Sequence, residues 1–370
     1  MTVVARHCFS LVFSCVFFHA TAADLTPETA ALLNTLKTIR GKHILVGHQD
    51  ATAYGIDWSG EPNKSDMKST SGAYPAVYGW DVGHLELGKA ANLDNVPFDL
   101  MRTRIVEAYQ RGGINTVSWH LDNPVNGRSA WDTTRNTVRQ ILPGGEHHET
   151  YRGYLAKLAD FFKSLETEDG TAVPLVFRPF HEHTGSWFWW GAAFCTPAEY
   201  IALWRYTVDY LRTDRGLENL LIAYSSSTID TKEGYLERYP GDEYVDILGF
   251  DDYCMGDEAS YVNRMSASLN ILTAIAKEKD KVPAITETGY EQIPNTKWFT
   301  EVLYPTITEY PVVWVLFWRN AINRPNHYYI PYPSHPAAED FREFHRLPKI
   351  LFGDGATPLD IYRTAPIDIP

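Results

Sequence analysis

Glu182 and Glu287 each follow an apolar run, Val-Phe-Arg-Pro-Phe-His before the first and Val-Pro-Ala-Ile-Thr before the second. A carboxylate emerging from buried sequence is costly unless it has partners, so each is a candidate for chemistry. A pair of them on facing walls of a cleft meets the needs of glycosidic-bond hydrolysis. One carboxylic acid protonates the leaving oxygen and one carboxylate serves the anomeric carbon. The acid has to stay protonated near neutral pH, which packing against a ring such as Trp187 favours. The segment RPFHEHTGSWFWWG, Arg178 to Gly191, surrounds the first glutamate with an arginine, two histidines and a wall of rings. His181 and His183, two apart on an extended segment, would face one side and invite a metal. The HExxH spacing is absent and no third ligand accompanies them, so neither metal nor cofactor is expected.

Residues this far apart in sequence need a scaffold that brings strand ends together. Eight short apolar runs read as buried strands: His43–Asp50, Ala76–Gly83, Ile114–Asp122, Val173–Glu182, Asn219–Ser227, Tyr244–Tyr253, Lys281–Tyr290 and Pro311–Asn320. Helical patterns lie between most of them: one opened by Thr26-Pro27-Glu28, then Pro97–Arg111, Tyr151–Leu165, Thr196–Leu211, Ser260–Glu278 and Asn295–Thr308. The connection from Ser227 to Tyr244 has room for a short helix at most. Strand and helix alternate throughout, which predicts an α/β fold: a (β/α)8 TIM barrel in a single domain with elaborated βα loops. The runner-up, an open doubly wound sheet, wants a glycine-rich phosphate loop, and Gly47-His48-Gln49-Asp50 is not one. Each run starts apolar and ends polar or aromatic, and in such barrels the C-terminal strand ends form the active face. The loops Trp58–Tyr74 and Asn123–His148 are long enough to wall a cleft.

Composition narrows the substrate. A net charge of −13 over 370 residues argues against a nucleic-acid partner. Aromatic residues make up 14% of the chain, with 11 Trp and 22 Tyr, which suits a neutral sugar whose C–H faces stack on rings. Arg6 and His7 precede an apolar run from Phe9 to Phe18, and Ala20-Thr21-Ala22 has the small-x-small pattern of a cleavage site. Residues 1–22 are therefore expected to be a secretion signal and residues 23–370 the catalytic domain, secreted or periplasmic. Lipid attachment at Cys15, giving an outer-membrane lipoprotein, is the alternative. No transmembrane span is expected, and the protein is expected to be a monomer. Cys195 and Cys254 survive processing, as a disulfide or as two buried thiols.

Arg178-Pro-Phe-His-Glu182 with Gly185-Ser-Trp-Phe-Trp-Trp-Gly191 resembles the acid/base signature of glycoside hydrolase family 26, the β-mannanases of clan A. Ile285-Thr-Glu287-Thr-Gly289 resembles that family's nucleophile strand. The resemblance covers nearly all of the mature chain. It implies retention of configuration, with Glu182 as acid/base and Glu287 as nucleophile, their carboxyl groups roughly 5–5.5 Å apart. It implies that Trp187 borders the cleavage point and that Tyr253 hydrogen-bonds the nucleophile. It implies that Trp318 is a sugar platform, that Arg319 contacts the next subsite, and that His120 lines the sugar site. Arg178 is expected to hold Glu287 as an anion and His181 to contact sugar. His48, Asp81 and Trp131 are further substrate-binding candidates. The expected substrate is β-1,4-mannan or manno-oligosaccharides, cut within the chain or released from its end as mannobiose. A β-glucanase or xylanase of the same family, or a non-catalytic sugar-binding barrel, are the rivals.

Other residues have plainer readings. Trp204 is expected in a helix core, and Trp80, Trp119 and Trp314 within the packing around the strands. Trp189 and Trp190 stand open between cleft wall and core. Asp251 and Asp252 are expected to order loops, Glu146 to Glu149 to form a solvated turn, and Lys64, Asp66 and Lys68 to lie on solvated surface.

Overall fold

The computed structural model describes residues 25–363. The expected leader, with Cys15, lies outside the described residues. Eight parallel strands form a closed barrel: β1 (Ile44–Gln49), β2 (Val77–Asp81), β3 (Ile114–Ser118), β4 (Leu175–Arg178), β5 (Leu220–Ser226), β6 (Ile247–Cys254), β7 (Val282–Tyr290) and β8 (Trp314–Phe317). Each pairs with the next, and β8 pairs back onto β1, with Trp314 opposite Leu45. The (β/α)8 barrel expected from the alternation is the observed fold. The strands are mostly shorter than the apolar runs that announced them, because the polar ends, such as Pro179–Glu182, already belong to the loops.

The helices between strands follow the same reading. They are α1 (Pro27–Ile39), α2 (Phe98–Gln110), α3 (His148–Lys163), α4 (Pro197–Asp209), α5 (Lys232–Leu236), α6 (Glu258–Glu278), α7 (Tyr304–Ile307, continuing a π-helical turn from Trp298) and α8 (Ala338–Arg346). Thr26 caps α1 through its side chain, and Thr196 with Glu199 forms a capping box on α4. The sequence reading missed α8. Its AEDFREFHR run is almost wholly charged, and only Phe341 and Phe344, three apart, mark the buried face.

Strand alternation sorts the barrel into two cores. Val46, Phe177, Tyr224, Phe250, Ile285 and Phe317 point outward and pack beneath the helices. Leu45, Val77, Val176, Leu221, Ala223, Ile247, Ala284 and Leu316 point inward and join Leu32 and Leu36 of α1, which closes the N-terminal end. Further along the same inward rows stand Arg178, Ser225 and Thr286, two residues on, and Asp81 and Asp251, four residues on, with Ser118 of β3 level with Asp81. The interior therefore changes from hydrocarbon to hydrogen-bonding groups along its axis, and the polar end is the one that faces the loops.

The long loop after β1 carries a two-stranded ribbon, Tyr54–Gly55 against Trp58–Ser59, and a short helix, Asp66–Ser71. Asp66 is not the surface residue that its neighbours Lys64 and Lys68 suggested: it is buried. Its carboxylate accepts from Ile56 N at 2.9 Å, Trp58 Nε1 at 2.6 Å and Asn320 Nδ2 at 2.8 Å. Burial raises the Asp66 pKa, and the three donors offset part of that desolvation. Asn320 in turn bonds Tyr329 N, Ile330 N and Ile330 O, so one carboxylate ties the β1 loop to the β8 loop. Cys195 and Cys254 are both buried and free, which decides the disulfide question for thiols.

Asp66→Ala should cost about 2–4 kcal/mol in chemical denaturation, because three buried donors lose their acceptor. Lys64→Ala, at a half-buried neighbour whose ion pair with Glu61 lies at the surface, should stay within about 0.5 kcal/mol of the native chain.

Candidate active site

β4 delivers its groups through both the strand and the turn after it. Arg178 is the last inward residue of the strand. Beyond it Glu182 sits at φ 53°, its N–H donating to Ser225 O at 3.0 Å. The Glu182 carboxylate accepts from Trp187 Nε1 at 2.6 Å, so a ring that is 42% exposed stands beside it at the mouth. Trp189 and Trp190 are wholly buried, and they hold the loop from beneath: Trp189 Nε1 donates to Leu121 O at 3.1 Å and Trp190 Nε1 to His181 O at 2.9 Å. His181 and His183 do not share a face, because the left-handed residue between them breaks the extended alternation. His181 turns to His120, while His183 lies between Tyr200 and Tyr224.

β7 delivers the second carboxylate through a bulge. Ile285 lies opposite Phe250 but Glu287 lies opposite Asp251, so Thr286 is an extra residue. The same offset recurs against β8, where Val315 faces Ile285 and Phe317 faces Thr288. A bulge re-aims side chains, and here two consecutive ones reach into the barrel mouth. Thr286 Oγ1 donates to Asp251 Oδ1 at 2.6 Å. Glu287 accepts from Arg178 Nη2 on one oxygen and from Tyr253 OH at 2.6 Å on the other. Arg178 Nη1 also holds Asp251 Oδ2 at 2.9 Å and Ser225 Oγ at 3.1 Å. Asp251 is thus part of the site's charge balance and not a loop-ordering residue. Its inward register with Ile247 and Gly249 was the available signal. Asp252, one residue on, turns outward to Arg264 at 2.9 Å.

A third wall comes from β2 and β3. His120 Nδ1 lies 2.7 Å from Asp81 Oδ2, and its Nε2 lies 3.1 Å from His181 Nε2. Burial opposes a charge on His120, but the Asp81 carboxylate prevails and raises its pKa. Burial, with the charges of Arg178 and His120, holds His181 well below the usual imidazole range. The two rings thus meet through their Nε2 atoms, and the protonation of His120 sets which of them donates. Trp131, 49% exposed, stacks on His120 with centroids 5.1 Å apart, and Trp318 approaches its edge at 6.4 Å. The loop presenting Trp131 is tied by Asp132, which accepts from Asn123 at 2.7 Å and Asn126 at 2.9 Å.

The remaining candidates sit apart from this centre. Asp81 is buried and spends its carboxylate on Ser118, Gly83 N and His120. His48 points outward from β1 into packing, and burial lowers its pKa to about 3. Arg319 is buried between Asp94, at 2.7 Å, and Tyr54 OH, at 3.3 Å, and that hydroxyl donates to Asp50 Oδ2 at 2.5 Å. Asp50, Tyr54 and Asp94 escaped the sequence reading because they come from loops, where no periodicity marks an inward side.

One oxygen each of Glu182, Asp251 and Glu287 lies within 4.8 Å of the others. Three acids share one guanidinium, which fills the place a cation would take between Asp251 and Glu287. Burial, with the neighbouring carboxylates of Asp251 and Glu287, raises Glu182 to about 8 in spite of the Trp187 hydrogen bond. Burial likewise raises Asp251 to about 7 against the pull of Arg178. The arrangement holds a protonated carboxylic acid beside an ion-paired carboxylate, both reachable from the mouth.

Residues 22–330 match the model of Glycosyl hydrolase family 26. The chain is 37% identical over 276 residues to a mannan endo-1,4-beta-mannosidase of Bifidobacterium adolescentis, covering 72% of this chain and 27% of that protein. It is 28% identical over 274 residues to a mannan endo-1,4-beta-mannosidase of Bacillus subtilis strain 168, covering 70% of this chain and 71% of that one. The chain thus spans about a quarter of the Bifidobacterium relative's length. Among solved structures it resembles a GH26 beta-mannanase from Bacteroides ovatus, with a TM-score of 0.89 and 48% identity over 91% of this chain and 98% of that one.

Arg178→Met should destabilise the fold by about 3–5 kcal/mol at neutral pH, since Asp251 and Glu287 lose their buried counter-charge. Without the arginine the Asp251 carboxyl, already raised to about 7, moves further above its unfolded value. The folded state then binds more protons than the unfolded, and stability falls as pH rises. The difference from the native chain should therefore shrink between pH 7 and pH 5, which urea midpoints at the two pH values measure.

Proposed function

Because the chain belongs to Glycosyl hydrolase family 26, we propose that it is a retaining β-1,4-mannanase, with Glu182 as acid/base and Glu287 as nucleophile. The observation that supports this most directly is the approach of their carboxyl oxygens to within 4.8 Å. Inverting enzymes hold the pair roughly 6.5–9.5 Å apart to admit a water, so oxygens this close support the retaining geometry. Two relatives named mannan endo-1,4-beta-mannosidase support mannan as the substrate and cleavage within the chain.

In the first step Glu182 gives its proton to the glycosidic oxygen while a Glu287 oxygen attacks the anomeric carbon from the opposite face. The C–O bond to the leaving chain breaks and a glycosyl ester forms. Arg178 and Tyr253 hold the two Glu287 oxygens in place for that attack. The ester carries no charge, so one of the fields that held the proton on Glu182 disappears and its pKa falls. Glu182 is then a carboxylate when a water enters, and takes that water's proton as the oxygen attacks the anomeric carbon and releases Glu287. The exposed faces of Trp131 and Trp187, with the half-buried Trp318, supply the rings that a sugar's C–H faces pack against. Every group in this scheme comes from one chain, so a monomer suffices.

Glu182→Ala should lower turnover of mannan by about 10²–10⁴-fold, and much less on an aryl β-mannobioside whose phenol leaves without help. Glu287→Ala should abolish turnover of both. The native kcat/KM should fall as pH rises through about 8, because the form of Glu182 that donates is the protonated one. Mannan, lichenan and xylan compared at equal concentration test the substrate. Faster turnover of lichenan or xylan would replace mannan in this proposal without touching the two carboxylates.

Export by the N-terminal leader completes the proposal. No helix among the described residues is long and apolar enough to cross a membrane. The exported protein's N-terminal sequence should begin at Ala23.

A further inference from the structure

Glu182 is not held by a regular strand. Phe180 at φ 47° and Glu182 at φ 53° both lie in the left-handed region, with His181 between them. A non-glycine residue in this region is strained and persists only where the surroundings over-determine it. On the upstream side, the Phe180 ring is set among Trp189, Trp190, Tyr200 and Trp204, and Tyr200 OH donates to Phe180 O at 2.9 Å. On the downstream side the next residue is His183, which is wholly buried. Its ring lies 4.7 Å from the Tyr200 ring and 4.6 Å from the Tyr224 ring, tilted 38° and 36° to them.

Tyr200 therefore grips the strained segment twice, by its hydroxyl before Glu182 and by its ring after it. Tyr224 supplies the opposite jaw from β5, and its own hydroxyl is fixed on Tyr235 O at 2.8 Å. His183 itself carries no charge at neutral pH, because burial and the nearby Arg238 hold it well below the ordinary range. The reaction described above makes no use of it.

We propose that His183, clamped between Tyr200 and Tyr224, is a positioning residue that holds Glu182 in its left-handed conformation and so keeps its carboxyl aimed at the leaving oxygen. The inference rests on the reading of Glu182 as the proton donor. If the clamp is released, the backbone at Glu182 relaxes towards negative φ. Its Cβ swings away from Asp251 and Glu287, and the carboxyl leaves the field that keeps it protonated. A flat ring is what the two tyrosines grip, so phenylalanine serves where leucine, of similar bulk, does not.

The test compares His183→Ala, His183→Leu and His183→Phe in the full chain, on mannohexaose and on an aryl β-mannobioside with an acidic phenol. For the alanine and leucine variants kcat/KM on mannohexaose should fall about tenfold or more, a part of the full general-acid contribution. On the aryl substrate it should change less than about threefold, since no proton is needed there. The alkaline limb of the mannohexaose profile should move towards lower pH in both variants. His183→Phe should restore the native rates and the native limb. Should the alanine variant fail to fold, the leucine variant carries the same comparison. An equal loss on both substrates, or no loss on either, in a folded variant would overturn the proposal. Glu182→Ala run alongside separates the two readings. If it too loses both substrates equally, the assignment of Glu182 fails; if it shows the leaving-group split and the His183 variants do not, this inference alone fails.

Discussion

One guanidinium buried among three carboxyl groups sets the terms for everything around it. Arg178 bonds Asp251 and Glu287 directly, and Glu182 stands within the same cluster. A single positive charge cannot answer three negative ones gathered this closely, so a proton has to remain. It remains where stabilisation is weakest. Glu287 holds both its oxygens against strong donors, whereas Glu182 has one indole N–H and two anionic neighbours. The proposed division of labour between two chemically identical side chains rests on that asymmetry.

Such a cluster demands that several strands deliver polar groups to one level of the barrel. The inward rows do this by changing character along the axis, from Val176 to Arg178, from Ala223 to Ser225 and from Ala284 to Thr286. Regular alternation alone would not bring Glu287 in beside Thr286. The bulge in β7 does so, and the pair of left-handed residues after β4 does the equivalent for Glu182. Both carboxylates thus rest on departures from regular backbone, where local preference is overruled by packing and hydrogen bonds.

The aromatic residues divide by depth. Trp189 and Trp190 are buried and act as hydrogen-bond donors to loop carbonyls, so they fix the loop and leave no face for a ligand. Trp187 and Trp131 expose their faces and use their other side on Glu182 and His120. Tyr54, Tyr200 and Tyr253 each place a hydroxyl on a site residue or on the segment holding one. A chain this rich in rings can build walls that are apolar to a sugar face and still hydrogen-bonded behind.

How much was legible from residue order follows from the range of each interaction. Apolar runs and helical spacing are local, so the eight strands, six of the helices and hence the barrel could be read directly. Glu182 and Glu287 stood out because each ended such a run, and Trp187 through the motif that resembles the family's signature. Asp251 was misread since two adjacent aspartates look alike until strand register decides which points inward. Asp66 was misread since its neighbours Lys64 and Lys68 are charged, while its donors come from the β1 loop and, through Asn320, from the far end of the chain. His181 and His183 were paired on one face by a two-residue period that the left-handed Glu182 breaks. Sequence by itself determined the elements and the kind of chemistry, because both follow from residue types and short spacings. Which carboxyl keeps the proton, which histidine meets the site and which rings stay exposed were decided only by the tertiary structure. They depend on charge, burial and backbone conformation among residues that meet across the barrel mouth, and no short spacing encodes those.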